Sequence, residues 1–246
     1  MKPYGVFAKY YDSLMSDVDY TSRAEYIIKI FDRHCIPTKS VLDLACGTGS
    51  ISFELVKAGY DVIGVDGSAQ MLSQAYSKIK SEGNPIFICQ DMQSLDLFGT
   101  IGAAVCSLDG INHLTSAAAV KKTFERVSLF LEKGGIFVFD LNSPKKIEEV
   151  LGNNAYVYDK GDIYCVWQNS FNKKSRICRF DLTFFELSGG RYIRSDESFA
   201  ERAYSTEQIK NLLDGAGLKL EAVYDDMTFD EPHENSQRII YAVRKI

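Results

Sequence analysis

Four short segments carry the residue types best suited to bind a ligand and act on it. In Ala45-Cys46-Gly47-Thr48-Gly49, paired glycines allow a tight turn and let a ligand lie against bare backbone. In Asp66-Gly67-Ser68, a carboxylate can accept both hydroxyls of a ribose. Asp91-Met92 sets a carboxylate beside an apolar side chain, which suits an adenine amino group and its ring face. In Ser107-Leu108-Asp109-Gly110-Ile111-Asn112-His113, Asp109 and His113 are the candidates for a general base. Each segment also has a plainer reading. The glycines suit any strand-to-helix turn, and Asp66 suits a helix cap because Ser68 follows. Met71 and Met92 suit core packing, and His113 suits the surface start of a helix. Asp43 is expected to bond the loop backbone from behind.

These segments need elements to hold them at one edge. Ala24, Ile27, Ile28 and Phe31 follow helical spacing, which predicts a helix over 21–34 with a Ser22/Glu25 capping box. Residues 40–46 read as a strand buried on both faces. Helix 51–58, strand 62–65, a helix capped by Ser68, and strands at 86–89, 103–107 and 136–141 continue the alternation. That order predicts an α/β fold with a doubly wound, mostly parallel sheet. From 153 to 202 the pattern changes. Cys178, Phe180, Leu182 and Phe184 alternate with polar residues, and Gly189-Gly190 signals a hairpin. The reading is an antiparallel β cap, 153–202, inserted into a core of 1–152 and 203–246. A helix from Ser205 and strands near 218–225 and 237–244 complete seven strands in the main sheet. In such sheets ligands bind beyond the carboxyl ends of the strands, where all four segments fall.

The chain has 246 residues with 46% hydrophobic content and a net charge of −5. Disorder and collagen are excluded, and an acidic balance weighs against nucleic acid or an anionic membrane as partner. No apolar run is long enough for a membrane helix, and the N-terminus lacks a signal-peptide core. Six cysteines without a CxxC pair, beside three histidines, predict no metal site. A soluble, reduced, cytoplasmic protein is the expectation.

Taken jointly and in order, four stretches resemble the class I S-adenosylmethionine-dependent methyltransferases. They are Val41 through Gly49, Asp66-Gly67-Ser68 with Met71-Leu72, Gln90-Asp91-Met92, and Leu131-Glu132-Lys133-Gly134-Gly135. The resemblance implies a Rossmann-like methyltransferase fold and S-adenosyl-L-methionine as cofactor. It implies that Ala45, Gly47 and Gly49 wrap the amino-acid end and that Asp66 binds the ribose. Gly67 and Met71 would border the adenine, Asp91 and Met92 would hold it, and Ser107 would lie alongside. Tyr4, Phe7 and Tyr10-Tyr11-Asp12 look like the aromatic lead-in of small-molecule members. Tyr11 is therefore expected on the cofactor, and Tyr10 on the substrate with Asn112 and Asn142. The cap looks like that of sugar-amine and glycine-type enzymes, which favours a small-molecule methyl acceptor and nitrogen over oxygen. A homodimer through the cap is compatible with this. No Asn-Pro-Pro-Tyr follows the fourth strand, which removes the usual support for adenine or glutamine amide methylation. Two alternatives stand. One is an NAD(P)-dependent oxidoreductase, although the third glycine of that fingerprint is absent. The other is a non-catalytic S-adenosylmethionine-binding module.

Overall fold

The structure is a computed structural model that describes residues 5–80 and 83–246; Tyr4 lies outside them. Helices α1 (Val6–Leu14) and α2 (Tyr20–His34) lead into β1 (Ser40–Leu44). Next come α3 (Ser50–Lys57), β2 (Asp61–Asp66), α4 (Ala69–Ser77), β3 (Ile86–Cys89), β4 (Ile101–Cys106), α5 (Ala117–Phe130) and β5 (Leu131–Asn142). Strands β6 (Ala155–Asp159), β7 (Ile163–Asn172), β8 (Ile177–Ser188) and β9 (Arg191–Arg202) follow, then α6 (Thr206–Asp214), β10 (Leu218–Asp225) and β11 (Arg238–Lys245).

The main sheet has seven strands in the order β10-β11-β5-β4-β1-β2-β3. β11 runs antiparallel to both neighbours, and the other pairings are parallel. Both faces are covered, as the near-continuous apolar strands require. Phe124 and Val127 of α5 pack with Ile209 and Leu213 of α6 on one face. Ile27, Ile30 and Phe31 of α2 pack with Leu55 of α3 on the other. Each such fully buried side chain contributes about 1.5–3 kcal/mol. The helix caps follow local chemistry. Ser68 accepts from the Met71 amide, and Ser205 with Gln208 forms a capping box. At α2 the cap is Asp19, one turn earlier than expected, and the Ser22 amide donates to it.

The second sheet is antiparallel, β6-β7-β8-β9. The alternating face of β8 is buried as expected, packed against α1. Phe180, Leu182 and Phe184 pack with Phe7, Ala8 and Leu14. Helix α1 is thus a spacer between the two sheets. Glu197 of β9 accepts from the Val6 and Phe7 amides at its start. At its end Asp12 bonds Thr48 at 2.6 Å and Lys78 at 2.6 Å. No helix among the described residues is long and apolar enough to cross a membrane.

Candidate active site

A cavity of about 500 Å³ opens at the carboxyl ends of β1, β2 and β4, beneath the second sheet. That volume suits a small-molecule site. Ala45, Gly47, Asp66, Gly67, Met71, Met92 and Ser107 line its floor. Phe7, Tyr11 and Met15 of the α1 segment form a wall, and Trp167, Phe199 and Glu201 form the roof. Asp109 and His113 stand at the remaining side.

The floor is organised by one carboxylate. Asp66 accepts from the Gly47 amide at 2.8 Å and from the Ser68 amide at 2.7 Å. Burial raises its carboxyl above the usual range, and these two amides hold it down. Each oxygen keeps a further lone pair for a ligand hydroxyl. Asp66 therefore combines both readings, a turn carboxylate and a cavity group. Gly47 has φ +56°, and a Cβ there would meet nothing within 4 Å, so the missing side chain leaves ligand space. Gly49 does different work: with φ +77°, its Cβ would lie 2.7 Å from Phe87 Cζ. It permits packing beneath the loop and does not line the cavity. Asp43 accepts from the Ser52 hydroxyl and also from the Ser52 backbone, at the start of α3 just beyond the loop, and burial pushes its carboxyl up to about 7.

The residues after β4 are held by buried charge. Leu108 and Asp109 both adopt left-handed backbone, with φ 59° and 61°. Their amides donate to the Asp140 carboxylate at 2.7 and 2.8 Å. Arg238 bonds Asp140 through Nη1 and Asp109 through Nη2, the latter at 2.7 Å. The register of β11 on β5, with Arg238 opposite Asn142, brings that guanidinium there. Burial disfavours the Arg238 charge, and the two carboxylates more than offset this. Burial, the largest influence, raises the Asp109 carboxyl, but Arg238, His113 and Lys146 together outweigh it and the net shift is downward. Asp109 is thus an ionised partner of Arg238 and a weak base. Burial lowers the His113 imidazole below its usual range, against the pull of Asp109.

Four more expected residues, besides Gly49, lie off the cavity. Asp91 is exposed, and its carboxylate accepts from the Gln93 amide at 2.7 Å, capping the short turn that carries Met92. Tyr10 packs with the aromatic cluster beneath the second sheet. Asn112 and Asn142 are buried and bonded to each other, the Asn142 amide donating to Asn112 Oδ1 at 2.9 Å. Asn142 Nδ2 in turn donates to Glu201 Oε2 at 2.9 Å. They form a layer behind Glu201 rather than a cavity surface.

Sequence reasoning missed Glu201, Trp167 as a roof residue, and Arg238. Glu201 lies two residues after Phe199 on the same face of β9. That period-two register was the available signal. For Arg238 the only signal was a cation opening an apolar strand. Asp109, His113 and Glu201 place ligand atoms within 4.8 Å of one another, a spacing a divalent ion can bridge. Arg238 and Lys146 already set positive charge against the same carboxylates.

Residues 41–135 match the sequence family described as a methyltransferase domain. The chain is 34% identical to YqeM of Bacillus subtilis (strain 168), a methyltransferase by name, over 98% of this chain and 97% of that one. It is 30% identical to a glycine/sarcosine N-methyltransferase of Parasynechococcus marenigrum (strain WH8102) over 60% of this chain and 54% of the relative. Among solved structures, an S-adenosylmethionine-dependent methyltransferase from Clostridium acetobutylicum ATCC 824 aligns with TM-score 0.87 at 34% identity, covering 97% of each chain.

Proposed function

The chain belongs to the S-adenosylmethionine-dependent methyltransferases, and from that premise we propose that it methylates a small molecule, at nitrogen rather than oxygen. The nicotinamide alternative falls with the family assignment. One observation carries the reading: a single cavity has a polar floor at the strand ends and an aromatic roof from the second sheet.

The floor fits the cofactor by its donor set. Asp66 has lone pairs left for a ribose, Gly47 leaves the loop backbone bare, and Met71 and Met92 offer apolar walls. When bound, S-adenosylmethionine supplies a sulfonium-activated methyl group. The protein's share is then orientation and exclusion of water. We assign Tyr11, Ala45, Gly47, Asp66, Gly67, Met71, Met92 and Ser107 to cofactor binding. Gly49 and Asp91 support that set by shaping the loop and the Met92 turn. The acceptor side is assigned to the roof and to His113. Asp109, tied to Arg238, positions charge there and does not act as the base. The core of 1–152 and 203–246 carries the cofactor in this reading, and the 153–202 cap sets acceptor choice. The partial similarity to a glycine/sarcosine N-methyltransferase supports a small amine, and the acidic balance weighs against a nucleic-acid acceptor.

S-Adenosylhomocysteine at about 100 times Kd should add about 2.7 kcal/mol, a rise of about 5–10 °C in melting temperature. NAD should do far less. A shift with NAD and none with S-adenosylhomocysteine would sink the reading. A screen of metabolites with methyl-labelled cofactor then finds the acceptor, and labelling of hydroxyls alone would remove the preference for nitrogen.

A further inference from the structure

We propose that Glu201 is the acceptor-binding carboxyl, receiving a substrate ammonium group and taking up the proton that nitrogen must lose before it attacks. This rests on the methyltransferase reading above and names its acceptor class: a small cationic amine.

The argument begins with placement. Glu201 is 4% exposed and is among the residues that line the cavity, with a carboxylate oxygen within 4.8 Å of ligand atoms of Asp109 and His113, which line it too. Asn142 Nδ2 fixes one of its oxygens at 2.9 Å. Asn142 is fixed in turn by Asn112, whose Nδ2 also donates to the Arg202 carbonyl at 2.9 Å, beside Glu201 on β9. A carboxyl held by buried amides on a regular strand is a prepared binding group, not a mobile surface acid.

The surroundings select a cation. Phe199 stacks on Phe7 with centroids 6.1 Å apart and an interplanar angle of 12°. Trp167 meets Phe199 edge-on at 5.8 Å, and the His113 ring lies 5.3 Å from Phe199. Phe180 also stacks on Phe199, at 5.0 Å and 27°, so that ring is held as an apolar wall, and the carboxylate charge attracts the ammonium in surroundings of low polarity. Neighbouring carboxyls divide the work. Asp109 is committed to Arg238, which leaves Glu201 as the carboxyl on the acceptor side without a cationic hydrogen-bond partner among the described residues.

Proton affinity agrees with geometry. Burial, then the Asp109 charge, pushes the Glu201 carboxyl up to about 8, while the Asn142 bond, Arg238 and Lys146 pull it down. That lies near the range of an alkyl ammonium, where proton exchange is efficient. In the step, the N–H bond of the ammonium breaks and its electron pair stays on nitrogen. The proton goes to a Glu201 carboxylate oxygen and passes from there to solvent. The neutral nitrogen then holds the lone pair that methyl transfer needs.

The sign of the pH effect follows. The folded carboxyl is raised above its unfolded value, so its contribution to stability is full below the unfolded value. It is lost as pH rises through about 8. A bound ammonium favours the carboxylate and is bound more tightly at high pH.

The test uses the full protein saturated with S-adenosylhomocysteine and reads binding, not turnover. Ethanolamine is the cationic probe, ethylene glycol its neutral partner, and sodium chloride the ionic-strength control. By calorimetry, ethanolamine should bind wild type at least about tenfold more tightly near pH 9 than near pH 6.5, with ethylene glycol showing no such change. Glu201→Gln, which resembles the protonated form and should fold, should bind the probe about tenfold more weakly and lose the pH dependence. Glu201→Asp keeps the charge on a shorter arm and should keep the pH dependence at reduced affinity. Equal binding of ethylene glycol, no binding of ethanolamine, or an unchanged Glu201→Gln variant overturns the proposal. So does stabilisation by magnesium or manganese that Glu201→Gln abolishes, which would make the cluster a metal site. S-Adenosylhomocysteine binding is measured first in each protein. Its absence in wild type overturns the methyltransferase reading and this one with it, whereas its presence isolates Glu201.

Discussion

The loops after β1 and β4 sit on adjacent strands at the same edge of the sheet, and both turn through left-handed backbone. The first does so at Gly47 and Gly49 and also at Ala45, with φ 57°, and borrows one carboxylate, Asp66, to hold an amide. The second places Leu108 and Asp109 in the same conformation, where each costs about 1–3 kcal/mol. It survives because Asp140 takes both amides and Arg238 neutralises Asp140 and Asp109 together. One loop is specified by what its residues allow. The other is specified by charges that arrive from distant strands. The contrast suits the two halves of the cavity. In the proposed reading, the loop for an invariant cofactor is built locally, whereas the acceptor side is tied to the second sheet and to β11.

The largest test of this contrast is Arg238→Met. It leaves Asp140 and Asp109 buried without their shared cation, and Arg23, 3.9 Å from Asp140, cannot replace both bonds. Urea unfolding should show a loss of about 3–5 kcal/mol. A loss under about 1 kcal/mol would mean that the second loop does not depend on the pair. Asp66→Ala comes next. Sequence alone suggests that it weakens only the cofactor, because a loop carboxylate holds little core. The structure shows two amides resting on Asp66, so stability and S-adenosylhomocysteine affinity should fall together, each by about 1.5–3 kcal/mol. A fall in affinity alone would show that the glycines hold the turn unaided.

The glycine pair gives the smallest effect and sharpens the comparison within the first loop. Gly47→Ala pays only for its left-handed backbone, about 1–2 kcal/mol, because a Cβ there meets open space. Its methyl enters the cavity and should weaken cofactor binding. Gly49→Ala adds a clash with Phe87 and should cost more stability with less direct effect on the ligand. Thermal melts with and without S-adenosylhomocysteine separate the two. Equal melting losses would mean that Phe87 can shift at little cost.

Much of this molecule was legible in its amino-acid order. Helical spacing at Ile27, Ile28 and Phe31, the apolar run 40–46 and the glycine punctuation predict the alternating core, and the seven-stranded sheet agrees. The Gly189-Gly190 turn and the alternation of 178–184 predict the antiparallel sheet, and β8 and β9 pair across that turn. The cap of α2 was misplaced because Ser22 is an equally good capping type; the chain's approach, not the residue, selects Asp19. Among candidate ligands, residues next to their own turn were readable, and Gly47, Asp66 and Met71 do line the cavity.

Sequence by itself thus determined the fold class, the edge of the sheet where the cavity opens, and most of the residues of its floor. These depend on period, turn chemistry and neighbours a few residues away. Tertiary structure alone decided that Asn112 and Asn142 stand behind the cavity, that Arg238 reaches Asp109 across 129 positions, and that Glu201 closes the roof. A side chain's charge state and its partner depend on burial and on which strands come to lie together. Neither is a property of the residue or of its neighbours in the chain.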